Sequence, residues 1–348
     1  MTPTVVGIGT GPLTLLRAVR LAESGHAVTL LDQGDVPGGA WGARDLLGYG
    51  NVEFGAHLLE NRQGLYRTLR NEFDVPLAYD PCESLVGGCR LPMRWTRSGF
   101  HVAVGMRALA RGEFDKYARA WQSAARSAIS GTSYSYPTAG AADLVGALCR
   151  RLIAAGGAIR MRAKVEALHI EADAVRVETD SGALRTSRAL VASRAFAPVS
   201  IGGVNQPLTI ERGICRNLVM RLRGGGQRRF SYVEVLGHPR LKRLRDLSPL
   251  VTPAVDPQER ILCVQHRSTM SDDAIADACT LVADLTQTRL MESLPEVVDA
   301  VRTDVTLETL TNATLKRLER ASMGRVEGLP TTDIAEGFID RRDRLAAA

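Results

Sequence analysis

The sequence has few aromatic residues and few lysines, and it lacks paired cysteines. Aromatic residues make up 5% of its 348 residues, and lysine occurs only at positions 116, 164, 242 and 316. The formal net charge of +6 therefore comes almost entirely from arginine, and without a lysine-rich arm we expect no nucleic-acid partner. None of the six cysteines forms a Cys-x-x-Cys pair, which indicates reduced thiols and no metal site.

Long apolar runs are missing as well. No run approaches the length that a helix needs to cross a bilayer, and a strand-like run begins at Thr4, which leaves no room for a signal peptide. We therefore expect a cytoplasmic protein without a membrane partner. Because 45% of the residues are hydrophobic, the chain can bury a large core, and we expect two connected domains.

The first forty residues carry the most specific pattern. An apolar run at 4–6 leads into the turn Gly7-Ile8-Gly9-Thr10-Gly11-Pro12, a helix-like segment follows at 13–24, and a second strand at 27–31 ends in Asp32. This order is the fingerprint of a dinucleotide-binding unit. Within it, Gly7 permits the tight turn, Gly9 lets a pyrophosphate approach the backbone, and Asp32 accepts hydrogen bonds from ribose hydroxyls.

The helix of this unit begins at the glycine turn. Its N-terminus offers backbone N–H groups to an anion, so Thr10, Gly11 and Pro12 also belong to the expected cofactor site. Pro12 replaces the usual third glycine. Proline is tolerated there because the first helical position has no intrahelical partner for its N–H group.

A second glycine-rich segment follows the acidic residue, where Gln33 is succeeded by Gly38-Gly39-Ala40-Trp41. Gln33 stands where an arginine would hold a 2′-phosphate, which disfavours NADP. The Gly-Gly pair resembles that of flavoproteins of the glutathione-reductase type, especially their amine-oxidase-like branch, in which its backbone lies along the flavin nucleotide. The resemblance implies FAD as the cofactor, in contact with residues 38–41 and with Gln33.

Three later segments resemble the same superfamily. Gly55-Ala56-His57 resembles a Gly-x-His segment near the flavin of UDP-galactopyranose mutases and protoporphyrinogen-oxidase-like proteins. The tract from Tyr136-Pro137 through a helix to Val165 follows the amine-oxidase-like order, in which the backbone of the valine meets the adenine. Gly324-Arg325 and Asp333-Ile334 resemble the last flavin-binding motif of the mutases, where a helix N-terminus points at the flavin.

The resemblance implies four candidates for substrate contact or proton handling, which are His57, Tyr232, Arg243 and Arg325. Each has an ordinary alternative, since a lone histidine is often structural and an arginine often lies on a solvated face.

Two expectations concern the region outside the nucleotide unit. Strands at 216–223 and 228–235 are expected to form a hairpin around three glycines. Apolar residues recur at helical spacing between 102 and 129, and we expect most of them to lie in the core: Met106, Leu109, Ala110, Phe114, Tyr117 and Trp121.

Together these patterns indicate an α/β protein with a glutathione-reductase-type Rossmann FAD-binding domain and a mixed-sheet, partly helical substrate domain. The first domain is expected to combine residues 1–75, 135–200 and 320–348, and the second 76–134 and 201–319. We expect an enzyme that oxidises a small amine- or alcohol-bearing metabolite by hydride transfer to flavin N5. A flavin-dependent mutase without net oxidation and a non-catalytic binding protein on the same fold stay open, as does a homodimer.

Overall fold

The computed structural model describes residues 2–60, 65–129, 134–226, 230–267 and 271–329. A short 3-10 turn covers Gly39–Trp41. The helices of the described chain are α1 (Pro12–Glu23), α2 (Leu65–Phe73), α3 (Met93–Ala110), α4 (Phe114–Ile129), α5 (Ala141–Ala154), α6 (Ala274–Gln287) and α7 (Asn312–Ala321). The strands are β1 (Thr4–Ile8), β2 (Ala27–Leu31), β3 (Ala43–Leu46), β4 (Tyr49–Glu53), β5 (Leu59–Glu60), β6 (Leu77–Tyr79), β7 (Cys82–Val86), β8 (Cys89–Pro92), β9 (Tyr134–Pro137), β10 (Ala158–Arg160), β11 (Val165–Ile170), β12 (Val175–Thr179), β13 (Gly182–Thr186), β14 (Arg188–Ala192), β15 (Val199–Ile201), β16 (Val204–Asn205), β17 (Ile210–Arg223), β18 (Tyr232–Leu236), β19 (Leu241–Asp246), β20 (Glu259–His266), β21 (Glu296–Arg302), β22 (Val305–Leu310) and β23 (Val326–Leu329).

A parallel sheet in the order β10-β2-β1-β14-β23 forms the centre of the nucleotide-binding unit. Its strands are short apolar runs, and α1 and α5 cover one face with Leu15 and Leu148 in the shared core. α1 and β2 follow the predicted bounds to within one residue. Because the strands are parallel, Gly9 and Asp32 meet at their common carboxyl edge, where nucleotides bind in open α/β sheets.

The other face of the parallel sheet is covered by a second sheet, in the order β13-β12-β11-β15-β16, and by α7. Val6 and Ile8 of β1 share one core with Leu168 of β11 and Leu315 of α7. α7 packs in this core, although most of it lies in the stretch predicted for the second domain, which ends at residue 319.

A larger mixed sheet runs in the order β21-β17-β20-β19-β18-β7-β8, and β22 pairs with the first part of β17. Leu218, Val233, Leu244 and Val264 alternate onto one face, where they share a core with apolar residues of α6. Residues next to them in sequence lie on the opposite face because side chains alternate along a strand. That opposite face is more polar, and its residues contribute to the candidate site.

The predicted hairpin of 216–223 and 228–235 is wrong. β17 and β18 are not neighbours, since β20 and β19 lie between them. Beyond β17, the Gly224 N–H donates to the carbonyl of Gln258, just before β20 (2.8 Å). The two predicted strands overlap β17 and β18, but strands adjacent in sequence need not pair in the sheet.

α3 and α4 form an antiparallel helical hairpin beside β7 and β8. Gly105 and Ala120 lie where the helices meet, and the Ser98 hydroxyl donates to the carbonyl of Ala124 (3.0 Å). Small residues therefore let the two helices approach closely. The prediction that most of the large apolar residues here are core is wrong, because several are well exposed: Met106 (53%), Leu109 (38%), Phe114 (67%) and Trp121 (43%).

Across the described residues, we find no helix with the length and apolar character required to span a bilayer.

Candidate functional site

A cavity of about 940 Å³ opens at the carboxyl edge of the parallel sheet. This volume is in the range of small-molecule and cofactor sites. The wall combines the glycine turn, the end of β2, the 38–41 segment, the start of β11 and the loop after β14. The sequence-predicted residues that line it are Gly9, Thr10, Gly11, Pro12, Asp32, Gln33, Gly38, Gly39, Ala40, Trp41 and Val165.

Gly9 occupies the tightest point of the turn. Its φ is +83°, a left-handed conformation that favours glycine, and a Cβ there would lie 2.5 Å from the Cβ of Ala195. The Gly9 N–H donates to the carbonyl of Leu31 (2.7 Å), which fixes the turn against β2. These contacts explain why the chain needs glycine here.

The N-terminus of α1 opens into the same cavity. Gly11 precedes the helix and Pro12 is its first residue, as predicted. Among the described residues no side chain caps this end, and the first turn carries no acidic residue. The orphan N–H groups and the positive end of the helix dipole are thus available to a phosphate.

Gly7 has a different role from the predicted one. It lies within β1, paired with Leu30 and Leu190, and does not line the cavity. A Cβ at this position would lie 2.5 Å from Cδ2 of Leu30. Gly7 is therefore required for packing between β1 and its neighbours, and the turn itself depends on Gly9.

Thr10 and Asp32 connect three segments of the site by hydrogen bonds. The Thr10 amide and hydroxyl both donate to Oδ2 of Asp32 (2.8 and 2.6 Å), and the Gly34 amide donates to Oδ1 (2.8 Å). The Thr10 hydroxyl also accepts from the Gly38 amide (3.0 Å). A carboxylate offers about four acceptor positions, so Asp32 keeps capacity for a ribose hydroxyl. The sequence did not reveal that Thr10 joins the turn to the Gly38-Gly39 segment.

Trp41 and His57 are stacked, with ring centroids 4.6 Å apart and an interplanar angle of 20°. Trp41 faces the cavity and His57 lies behind it. Burial lowers the pKa of His57 to about 4, partly opposed by a hydrogen bond to the backbone of Ala40. Its Nε2 is buried and has no hydrogen-bond partner among the described residues, so Nδ1 makes that bond. His57 is therefore a neutral imidazole at pH 7.

Two cations at the cavity were not singled out from the sequence. Arg194 follows β14 and Lys164 precedes β11, and both line the cavity with their side chains largely exposed. Arginine is suited to bidentate phosphate binding. A cation two residues past a parallel strand that ends at the nucleotide edge is the signal that could have identified Arg194.

Arg245 lies at the centre of a buried polar cluster beneath His57. Its Nη1 donates to the carbonyl of His57 (2.7 Å) and to Oδ2 of Asp80 (3.0 Å), and its guanidinium lies 3.4 Å from the ring centroid of Tyr136. The Tyr136 hydroxyl and the first amide of α5 donate to the carboxylate of Glu53 (both 2.7 Å). Burial raises the pKa of Glu53, and the nearby Arg245 opposes that rise.

Arg243 and Tyr232 lie on the same face of the mixed sheet as Arg245. Cross-strand pairing places Tyr232 opposite Arg245, and Glu234 opposite Arg243, with Gln265 next to Arg243 on β20. The Nε of Arg243 is buried and without a hydrogen-bond partner in the described chain. Arg243 thus stays a candidate for binding an anionic group of a substrate.

Tyr232 does not fit its predicted role. It is 1% exposed and packs with Ala56, Cys82, Met93 and Tyr134 in a local core. Burial raises its pKa to about 12. We therefore assign it to the core beneath the site.

Gly324 and Arg325 are also misplaced by the sequence prediction. They precede β23 at the amino edge of the parallel sheet, where the Arg325 carbonyl accepts from Ala189 and its guanidinium bonds the carbonyl of Ala172. The cavity lies at the opposite edge, roughly 10–15 Å away along strands of this length. Leu329 at the other end of β23 does line the cavity. Asp333 and Ile334 lie outside the described residues.

The structure brings together the predicted cofactor residues from Gly9 to Val165, but neither Gly7 nor Gly324, and not all four catalytic candidates. His57 and Arg243 lie on the side between the 38–41 segment and the mixed sheet, Tyr232 is in the core beneath them, and Arg325 is remote.

Comparison with known proteins agrees with this geometry. A family model described as an NAD(P)-binding Rossmann-like domain matches residues 8–71. No curated protein matches the sequence. Among solved structures, a putative protoporphyrinogen oxidase from Exiguobacterium sp. 255-15 is 12% identical, with 100% of this chain and 99% of that chain covered and a TM-score of 0.67.

Two further solved structures are similar over the full length. A reduced UDP-galactopyranose mutase is 13% identical, with coverage of 100% and 95% and a TM-score of 0.68. Wild-type putrescine oxidase bound to putrescine is 13% identical, with 100% of both chains covered and a TM-score of 0.64. The chain has the fold of these oxidases and this mutase. The α/β fold class and the resemblance drawn from the sequence are thereby confirmed, and residues 8–71 match a Rossmann-type dinucleotide-binding domain.

Proposed function

We propose that the protein is an FAD-dependent oxidoreductase that oxidises a small amine- or alcohol-bearing metabolite. The observation that carries the proposal is the cavity at the parallel sheet, which joins the Gly9 turn to the Gly38-Gly39 segment and to Val165. An ordinary NAD site does not require the second glycine segment, whereas the resemblance places that segment along a flavin nucleotide. When bound, the flavin would supply the hydride acceptor, at N5.

The chain contributes binding and orientation. Gly9 and the α1 N-terminus would hold the pyrophosphate, Asp32 the ribose, and Val165 the adenine end. Arg194 lies where it can neutralise phosphate charge. The Thr10 hydroxyl holds the turn and the Gly38 amide in place before any ligand arrives, which reduces the ordering cost of binding.

The substrate would lie on the side of His57 and Arg243. His57 is neutral at pH 7, and because Nδ1 donates to Ala40, its buried Nε2 would accept a hydrogen bond from a substrate N–H or O–H only once the substrate uncovers it. A base with this low pKa takes up a proton poorly near neutrality, so His57 orients a substrate more effectively than it deprotonates one. Arg243 would bind an anionic group, because its Nε has no partner in the described chain.

The first test is cofactor content. Purified protein, or protein reconstituted with FAD, is expected to show the visible flavin spectrum. Gly9→Ala should lose it, because the new Cβ meets Ala195 and φ is +83°. Gly25→Ala is the matched control: φ there is +88°, equally strained, but nothing lies within 4 Å of its Cβ position, and Gly25 does not line the cavity. Protein that cannot take up FAD would refute the proposal.

The second test separates oxidation from isomerisation. Anaerobic addition of amine- and alcohol-bearing metabolites should bleach the flavin of the wild type, and oxygen should restore its colour. His57→Gln and Arg243→Gln should bind FAD normally yet raise KM or lower the bleaching rate. If turnover instead required prior reduction of the flavin and consumed no oxygen, a mutase would be indicated. The mutase structure with a TM-score of 0.68 is the observation that keeps this second candidate.

A further inference from the structure

The helical hairpin α3–α4 exposes an apolar surface that has no function in the cofactor site. Trp95 (53%), Met106 (53%) and Leu109 (38%) of α3 are exposed, together with Phe114 (67%) and Trp121 (43%) of α4. A soluble monomer rarely leaves such a set of large apolar side chains side by side in water. We call these five residues the hairpin face.

The five residues lie on one side of the hairpin. An α-helix turns about 100° per residue, so Trp95, Met106 and Leu109 form one row along α3, and Phe114 and Trp121 form one row along α4. The contact between the helices runs through Gly105 and Ala120, about a quarter turn from each row. On each helix the exposed row follows the contact residue by a rotation in the same sense. Because the helices are antiparallel, both rows therefore face the same side of the hairpin. Trp121 also reaches over α3, since a Cβ on Gly105 would lie 3.7 Å from its Cδ1.

Positive charge is concentrated in the same hairpin. Between Met93 and Ile129 the sequence has seven basic residues and only two acidic ones, which accounts for most of the chain's formal net charge of +6. Arg94, Arg107, Arg111 and Arg119 are exposed, and the guanidinium of Arg94 lies 5.5 Å from the ring centroid of Trp95. Long arginine side chains can lay their apolar stems on such a surface and extend their charge beyond it.

We propose that the hairpin face docks on an anionic lipid surface. Exposed tryptophan and phenylalanine on one side of a helix, with arginine on the remaining sides, is the pattern of helices that lie in a membrane interface. Charge decides between this occupant and a second copy of the chain, because two hairpins of the same positive charge would repel each other. An anionic bilayer attracts each basic residue near its surface. The surface binds without spanning, so it is compatible with the absence of a membrane-crossing helix in the described chain.

The sequence led us to expect no membrane partner, and a membrane-docking hairpin face would correct that expectation. The absence of a long apolar run excludes a transmembrane helix but says nothing of two amphipathic helices that lie flat. Docking of the hairpin face does not depend on the bound cofactor, and failure to observe it would leave the proposed oxidation unaffected.

The experiment is co-sedimentation of the full-length protein with vesicles of phosphatidylcholine alone or of an equimolar mixture with phosphatidylglycerol. Binding is expected only to the anionic vesicles, and it should weaken as salt rises because the attraction is screened. The double variant Trp95→Ser/Phe114→Ser should lose roughly tenfold or more in partitioning, since burying even one large apolar side chain is worth at least that factor.

The matched control removes as much exposed aromatic surface elsewhere. Phe100 (66%) lies about 140° around α3 from Trp95, and Tyr79 (73%) lies on β6, so Phe100→Ser/Tyr79→Ser should retain binding. Arg107→Gln/Arg111→Gln should lower affinity for anionic vesicles while keeping the apolar face. Thermal unfolding of each variant confirms that the loss is not a loss of fold.

Three results would overturn the proposal. The first is no binding to anionic vesicles. The second is equal loss of binding in the control and the hairpin variants. The third is a concentration-dependent dimer that the Trp95→Ser/Phe114→Ser variant abolishes, which would assign the hairpin face to a second copy of the chain.

Discussion

Replacing Arg245 with methionine removes the cation that faces two buried acids. Arg245 and Asp80 are each 2% exposed at the side chain, and Glu53 is fully buried nearby. Removing one partner of a buried ion pair typically costs about 3–5 kcal/mol, because the other charge is left uncompensated. For a chain of this length, 4 kcal/mol corresponds to a fall of roughly 5 °C in Tm. We expect Arg245→Met to show losses of this size at neutral pH.

The cost should depend on Asp80 and on pH. In Arg245→Met/Asp80→Asn one of the stranded carboxylates is gone, so the double variant should regain about 1–3 kcal/mol relative to Arg245→Met alone. Burial raises the pKa of Glu53, so this carboxyl loses its charge readily as the pH falls, and the deficit of Arg245→Met should shrink accordingly. Arg245→Lys keeps the charge but loses the planar contact with Tyr136, so its stability should lie between that of the wild type and that of Arg245→Met.

Urea unfolding at several pH values, followed by circular dichroism, provides the assay. Flavin content and the anaerobic bleaching rate should be measured in parallel, because Arg245 also bonds the His57 carbonyl. If Arg245→Met unfolded at the urea concentration of the wild type, or if the two substitutions were simply additive, the buried cluster would not act as described.

Three other predictions can be checked separately. Thr10→Val should lower FAD affinity roughly tenfold in a fluorescence titration and cost about 1–3 kcal/mol, because it leaves the Asp32 carboxylate and the Gly38 amide without the hydroxyl, while Thr10→Ser should restore both. The pKa of Glu53 is raised by burial, so its contribution to stability is present at low pH and is lost as pH rises through the folded pKa. The free energy of unfolding of Glu53→Gln should therefore rise relative to that of the wild type as the pH increases. Equal pH dependence of the two free energies would contradict this. The pKa of His57 falls from 6.5 to about 4 on folding, so wild-type stability should fall as pH drops from about 6.5 to 4, and in His57→Gln that part of the slope should vanish.

The nucleotide half of the site could be predicted because its determinants are local. The glycine turn, Asp32, Gln33 and the 38–41 segment lie within forty residues, and each constrains the backbone directly. Val165 could be placed only through the order of the elements around it. Gly7 was assigned to the site because a pattern cannot tell a glycine that faces phosphate from one that makes room for Leu30.

The substrate half was less predictable because it depends on strand pairing. Arg245 carries more contacts than Arg243, yet the two differ only by two positions in one strand. Which arginine is buried depends on Asp80, 165 residues earlier in the chain, and no local pattern reports that distance. Arg325 was misplaced for a similar reason. The Gly324-Arg325 pair lies at the amino end of β23, whereas the cavity lies at the carboxyl end of that strand.

The bond from Arg245 to the His57 carbonyl joins the mixed sheet to the segment that carries the imidazole, and this matters for protein engineering. Exchanging the mixed sheet for that of a relative, to change which metabolite is accepted, would also exchange the support beneath the imidazole. A chimaera that kept the glycine segments but lacked the arginine and its acid would bind its nucleotide and still hold the histidine in the wrong place. A redesign of substrate preference must therefore keep Arg245 and Asp80, which support His57 from below.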